Sequence, residues 1–384
     1  GLDLYVEDGC VRARGTTLGG DDGIAVAMAL AILDDTSLSH PAIEAIFTVD
    51  EETGMYGAEG LDVSVLKGRR MLNMDSEDEG VFTVSCAGGA RADCCLPIRR
   101  QRFGAPVQEI AVTGLVGGHS GAEIDKGRAN SSMLLGRVLC ALEQKTPLRV
   151  ISVSGGLKDN AIPTASVALV AADAGAVQAV CAEMDAAFKK EYRVNDPAIT
   201  VSARPAESSL LPMDEASSRS AVCLLACLPN GIQAMSADMP GLVQTSLNLG
   251  ILTTGEDAVH ASFSVRSSVA TQKQMLIDRL RCLTESLGGS VSTHGEYPGW
   301  EFMPQSPLRD LMVQVFTDQY GYAPKVEAIH AGLECGLFSA KLPGLDCVSF
   351  GPDLKEIHTF RESLSVSSVQ RVYAMVVETL KRMH

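Results

Sequence analysis

The chain is short of positive charge: 32 Lys and Arg against 47 Asp and Glu leave a net charge of −15 over 384 residues. A phosphate backbone is held by a basic face, so no nucleic-acid partner is expected. Long apolar runs are missing as well. The longest, Gly23 to Leu33, falls well short of the ~20 residues that span a bilayer, so no membrane partner is expected. The eleven Cys form no CxxC pair, and only Cys94 and Cys95 adjoin. Reduced thiols in a cytoplasmic protein fit that scatter better than a zinc ribbon or a disulfide scaffold. There is also no initiating Met and no leader-like segment before Gly1-Leu2-Asp3-Leu4, which reads as the start of a piece of a longer protein. What is there is globular: 46% hydrophobic and 21% charged residues, enough chain for ~2 to 3 domains.

Residues 22–35 are rich in Ala, Leu and Met on nearly every face, which predicts a buried helix against a sheet. Residues 43–49 and 70–74 read as short apolar strands of an α/β sheet. A Gly-rich turn is expected at Cys86-Ala87-Gly88-Gly89, after which the texture changes. Between residues 98 and 296, period-2 strands (107–113, 148–154, 164–171, 244–251, 258–265, 289–295) alternate with helical stretches (127–143, 174–190, 214–227, 270–286). Two rounds of a βαββαβ pattern can be drawn through them, the second lacking a clear first strand. Residues 203–213, with two Pro, are the best internal linker. Beyond Gly299 come a helix at 306–320, a Gly-rich loop at 331–336, a strand at 346–350 and a closing helix at 366–382. The fold class expected is α/β: a catalytic domain built from 1–97 and 298–384, interrupted by an α+β lid domain over 98–297.

Acidic residues sit where those elements end. Asp21 opens the first helix, Glu51 and Glu52 follow strand 43–49, Asp75 follows strand 70–74, and His358 lies in the loop after strand 346–350. Ligands of open α/β sheets gather beyond the carboxyl ends of the strands. Carboxylate oxygen and imidazole nitrogen suit Zn²⁺, or Mn²⁺ and Co²⁺ in similar geometry. Two such ions sharing a carboxylate and a water would generate a hydroxide-like nucleophile, and Glu51, beside Glu52, is placed to take its proton. The plainer alternatives stand at this point. A helix-opening Asp is ordinarily a cap, an acid pair a solvated turn, and a loop His without a task.

The text around these residues resembles one family. Gly15-Thr16-Thr17-Leu18-Gly19-Gly20-Asp21-Asp22-Gly23-Ile24-Ala25 is similar to the Gly-Thr-Thr-Leu-Gly-Ala-Asp-Asn-Gly-Ile-Gly segment of the co-catalytic zinc exopeptidases, in their carnosinase and aminoacyl-histidine dipeptidase group. Asp50 to Met55, Asn73 to Glu77, Cys86 to Gly89, Gly117 to Gly121, Arg266 to Ser268, Tyr297 to Trp300, Ile329 to Leu337, Gly351-Pro352 and His358 follow in the family's order. The resemblance implies a zinc-exopeptidase-like catalytic domain that hydrolyses dipeptides of the Xaa-His or β-Ala-His type with two divalent metal ions, zinc first among them. It implies Asp21 as the bridging carboxylate, Glu52 and His358 on the second metal, Asp75 on the first, and Glu51 as general base. His119 would polarise the scissile carbonyl. Asn160 and Arg266 would hold the peptide carboxylate, for which a planar guanidinium is apt, and Glu334 would face the amino end.

One family feature is absent. No His here is followed two residues on by Asp, so the upstream His-x-Asp that completes the first metal has no counterpart, and ~100 residues of the pattern's N-terminal part are unmatched. Three alternatives stay open: a tripeptidase or amidohydrolase of the same fold, a non-catalytic peptide-binding relative that lost the first metal, and an interaction subunit. Small peptides are the expected partner. Whether two chains associate as a homodimer is undecided by sequence.

Overall fold

The computed structural model describes residues 1–383, which divide into two units: Gly1–Cys86 together with the chain from Pro298 onward, and Ala87–Tyr297. The inserted unit therefore begins at Ala87 and not at 98. The reason is the strand Gly88–Pro97, where the sequence suggested a Gly-rich turn. Its residues alternate between buried and outward positions, and it runs antiparallel to Ala258–Ser267 on one side and Ser290–Tyr297 on the other. It belongs wholly to the insert's sheet.

That sheet runs in the order Thr200–Pro205, Val107–Thr113, Ser166–Ala171, Arg149–Gly155, Val243–Thr254, Ala258–Ser267, Gly88–Pro97, Ser290–Tyr297, with Gly231–Met235 added beside Val243–Thr254. The first four strands enclose, in sequence, the helices Ser131–Glu143 and Ala174–Glu191. The last four are accompanied by Glu215–Cys227 and Ala270–Ser286. The strand missing from the second round in sequence is thus Gly88–Pro97, which precedes the first round along the chain. The core lies between sheet and helices, where Leu135, Leu139, Leu142, Val153, Phe188, Leu249 and Phe263 are fully buried. The linker expected at 203–213 is partly strand, since Thr200–Pro205 pairs with Val107–Thr113.

The terminal unit holds a four-stranded mixed sheet, Lys325–Ile329, Val81–Cys86, Asp346–Ser349, Arg70–Asn73. The helices Pro307–Tyr320 and Val366–Arg382 close over it through Phe82, Phe316, Val348, Phe350, Val372 and Met375. A second, antiparallel sheet joins the hairpin Leu4–Glu7 and Cys10–Ala13 to Ser363–Ser365 and Leu354–Lys355.

Two expectations fail here. Residues 43–49 form no strand: they carry no ladder, and Phe47 and Val49 are exposed. A strand needs a hydrogen-bonded neighbour, and Arg70–Asn73, at the edge of its sheet, does not take this segment as one. The helix Gly20–Asp34 buries only Gly20, Ala25, Met28 and Ile32 and leaves Val26, Leu30 and Leu33 exposed. An all-round apolar helix is buried only if something covers each face. A cavity of about 730 Å³ opens among this helix, the 41–48 segment and the Arg70–Asn73 strand.

Candidate functional site

Asp21 sits at the start of the Gly20–Asp34 helix, after Gly19 in left-handed backbone (φ 67°). Glu51 and Glu52 open a single helical turn, Glu51–Gly54, between Asp50 (φ 55°) and Met55 (φ 59°), both left-handed. His358 (φ 61°) lies in the loop after Leu354–Lys355. Non-glycine residues rarely hold positive φ, and here they flank or carry the ligand candidates. The result is convergence. His358 Nε2 lies 3.1 Å from Asp21 Oδ2 and 2.6 Å from Glu52 Oε1, and one ligand atom from each of the three residues lies within 4.8 Å of the others. Among the described residues this is the one set of three such groups brought so close.

The electrostatics are those of a crowded anionic site. Burial, with Glu52 beside it, pushes the Asp21 carboxyl above the usual carboxylate range. Burial, then Glu52, Glu334 and Asp21, raises Glu51 to about 7. Asp75, just past the Arg70–Asn73 strand, is likewise raised to about 7 by burial and then by Glu51, Asp21 and Glu334. The hydrogen bond that His358 donates to Glu52, together with the negative charge of Glu52 and Asp21, lifts its imidazole. Two oxygen donors and a nitrogen at this spacing fit a divalent ion, whose charge would reverse these shifts. Asp75 interacts with the cluster but belongs to no such three-donor set among the described residues.

Glu334 is not in a loop. It is the first residue of the helix Glu334–Lys341, 7% exposed, and one of its oxygens accepts from Thr48 Oγ1 at 3.0 Å. The other, Oε1, is buried without a partner. An orphaned buried acceptor is costly unless a ligand satisfies it.

The inserted unit brings together His119, Asn160 and Arg266. His119 and Ala161 pair in a two-residue ladder, which sets Asn160 alongside. The His119 Nδ1 accepts from the backbone N–H of Gly121 at 3.1 Å and of Ala122 at 3.0 Å. With Nδ1 accepting, the neutral ring carries its proton on Nε2, and burial and Arg266 hold the ring below the usual histidine value. A neutral imidazole with a fixed Nε2–H is a hydrogen-bond donor in waiting.

Two residues escaped the sequence reading. Glu362, 2% exposed, accepts from Thr17 Oγ1 and from the backbone N–H of Gly19 (3.0 Å), Gly20 (2.8 Å) and Asp21 (3.3 Å). Nothing in its local pattern, an acid between Arg361 and Ser363, marks it. Asp22, driven up to about 8 by burial and by Asp75, stands where the resembling segment has Asn, a difference that could have singled it out.

A family model, peptidase family M20/M25/M40, matches residues 2–382. The chain belongs to this peptidase family. Its members hydrolyse peptide bonds, and so the chain is a hydrolase of that class. Cytosol non-specific dipeptidase of Escherichia coli K12 is 33% identical over 385 aligned positions, covering 99% of this peptidase and 79% of the relative. The crystal structure of aminoacylhistidine dipeptidase from Vibrio alginolyticus is similar at 34% identity with a TM-score of 0.94, covering 99% of this chain and 79% of that one. The aminopeptidase PepT from Bacillus cereus, at 16% identity and a TM-score of 0.51, shares the fold. The α/β architecture with its insert is that of the family. Among the described residues no helix is long and apolar enough to cross a membrane.

Proposed function

We propose that this peptidase is a metal-dependent dipeptidase acting on Xaa-His and β-Ala-His type substrates, with divalent ions, zinc first, held at Asp21, Glu52, His358 and Asp75. The observation that carries the reading is the convergence of Asp21, Glu52 and His358 within 4.8 Å. Bound divalent ions supply Lewis-acid polarisation and an acidified water. The rest falls to this chain's own groups. Glu51, adjacent to Glu52 and in the field of Asp21, is assigned to accept a proton and to return it to the leaving amine. His119, with its proton fixed on Nε2, is the donor for the charge that develops on the scissile carbonyl oxygen. Arg266, with Asn160, is assigned the substrate carboxylate. Glu334, with an unpartnered buried oxygen, is assigned the substrate's ammonium end. A cytoplasmic site of action is supported by eleven free cysteines and by the cytosolic relative.

Zinc titration of the metal-free 384-residue chain by calorimetry tests the centre. The expected result is one tightly bound ion per chain, abolished in His358→Ala, with any further ion bound more weakly. A flat titration would remove the metal from the reading. Dipeptides ending in His, tripeptides and acylated amino acids assayed side by side then separate a dipeptidase from a tripeptidase or amidohydrolase. A second reading, a relative that binds peptides without cleaving them, is favoured by Asp75 lying outside any three-donor set among the described residues. Peptide binding with one ion and no cleavage would establish it.

A further inference from the structure

The segments Cys86 to Gly89 and Tyr297 to Trp300 have no task in the reading above, yet the insert's sheet brings both to Arg266. In the register, Gly89 lies opposite Arg266 on one side and opposite Tyr297 on the other. Directly opposed residues of antiparallel strands project from the same face, so Arg266 and Tyr297 flank Gly89 on one surface of the sheet. Two strand spacings, ~10 Å, separate their backbones. The tyrosine ring spans that gap. A Cβ at residue 89 would stand 2.5 Å from Cε1, Cζ and Oη of Tyr297, so the ring lies directly across the glycine. Its hydroxyl accepts from Arg266 Nη1 at 3.2 Å. Gly89 is there for space, since its backbone is ordinary strand. Lys273 fixes both backbones, its Nζ donating to the carbonyls of Gly89 at 3.2 Å and Tyr297 at 3.0 Å.

The consequence lies in what is left of the guanidinium. Nη1 is committed to the phenol, while Nε is buried and has no partner. Nε and Nη2 form the edge that takes a carboxylate side-on through two parallel hydrogen bonds. A buried N–H without an acceptor is destabilising on its own, and a carboxylate at that edge would relieve it. We propose that Tyr297, admitted by Gly89, is the positioning residue that turns the Nε–Nη2 edge of Arg266 toward the carboxylate of the peptide substrate. The inference rests on the assignment of Arg266 to that carboxylate and adds what orients it.

The test is binding, independent of turnover. The probe is an uncleavable Ala-His isostere, with the peptide carbonyl reduced to CH2, and its C-terminal carboxamide, each titrated into the zinc-loaded chain. The readout is the ratio of Kd for carboxamide over carboxylate. Arg266→Ala is expected to lower that ratio by about 100-fold and Tyr297→Phe, which keeps the ring, by about 10-fold. Gly89→Ala, which displaces the ring, should match or exceed the Phe variant. A purely structural role would weaken both probes alike and leave the ratio in place. If Arg266→Ala lowers the ratio and Tyr297→Phe keeps the wild-type value, the positioning role is overturned while the Arg266 assignment stands. If Arg266→Ala itself keeps the ratio, the assignment and the inference fall together.

Discussion

Glu362 gathers four donors onto one buried carboxylate: the Thr17 hydroxyl and the N–H groups of Gly19, Gly20 and Asp21. Those donors lower its carboxyl below the usual range against the opposing effect of burial. The loop that delivers Asp21 is thus held from behind by a negatively charged carboxylate, which would orient Asp21 in its proposed role as a metal ligand. Glu362→Gln replaces an acceptor by an N–H2 group facing other N–H groups. The expected outcome is a 10–100-fold weaker zinc Kd, read by competition with a chromophoric chelator. Glu51→Gln should behave oppositely under the proposed roles, removing the proton acceptor and sparing the ligands. Turnover is expected to fall by about 10²–10⁴-fold with bound zinc unchanged by mass spectrometry. Lost metal in that variant would refute Glu51 as the base.

At the scale of elements, one helix carries two different surfaces. Along Gly20–Asp34, Met28 is 3% exposed in the core of the terminal unit, while Leu30 is 55% exposed. Composition does not separate them, since both stand in the same apolar run. Truncating Met28 to Ala should cost about 2–5 kcal/mol in urea denaturation, the usual price of a core cavity. Leu30→Ser should stay within about 0.5 kcal/mol, as surface changes do. A large loss for Leu30→Ser would mean that its face is covered in solution. The 41–49 segment follows the same rule: its Ile, Phe and Val residues favour a strand, but no ladder forms without a neighbour.

At the scale of the whole molecule, some of the acids behind the −15 charge cluster at one site. Asp22 is raised to about 8, Glu51 and Asp75 to about 7, all chiefly by burial. Groups whose folded values lie above their unfolded ones support folding in the protonated form. That contribution is complete below about pH 4 and is lost as pH rises through the folded values near 7 and 8. The metal-free chain should therefore lose thermal stability between pH 5 and 8, followed by circular dichroism. Stoichiometric Zn²⁺ at pH 8 should restore it, because a cation favours the charged carboxylates. A Tm that rises over this range without metal would contradict the burial of these acids.

Local pattern alone determined much of this protein. The apolar period of the insert's helices and strands is a local property, set by side-chain alternation, and the elements appear within a few residues of where it puts them. That Asp21, Glu52 and His358 converge was legible because these residue types stand beside the turns that end their elements, where ligands of such sheets gather. Tertiary structure alone decided what depends on partners distant in the chain. Gly88–Pro97 became a central strand because Ala258–Ser267 and Ser290–Tyr297 flank it. Glu362 acquired its role from a loop some 340 positions away, at sequence separations of 341 to 345. Gly89 reads as a turn glycine until Tyr297 lies across it. Hydrogen-bond partners and burial are relations between segments, and a chain read one window at a time contains the residues but not those relations.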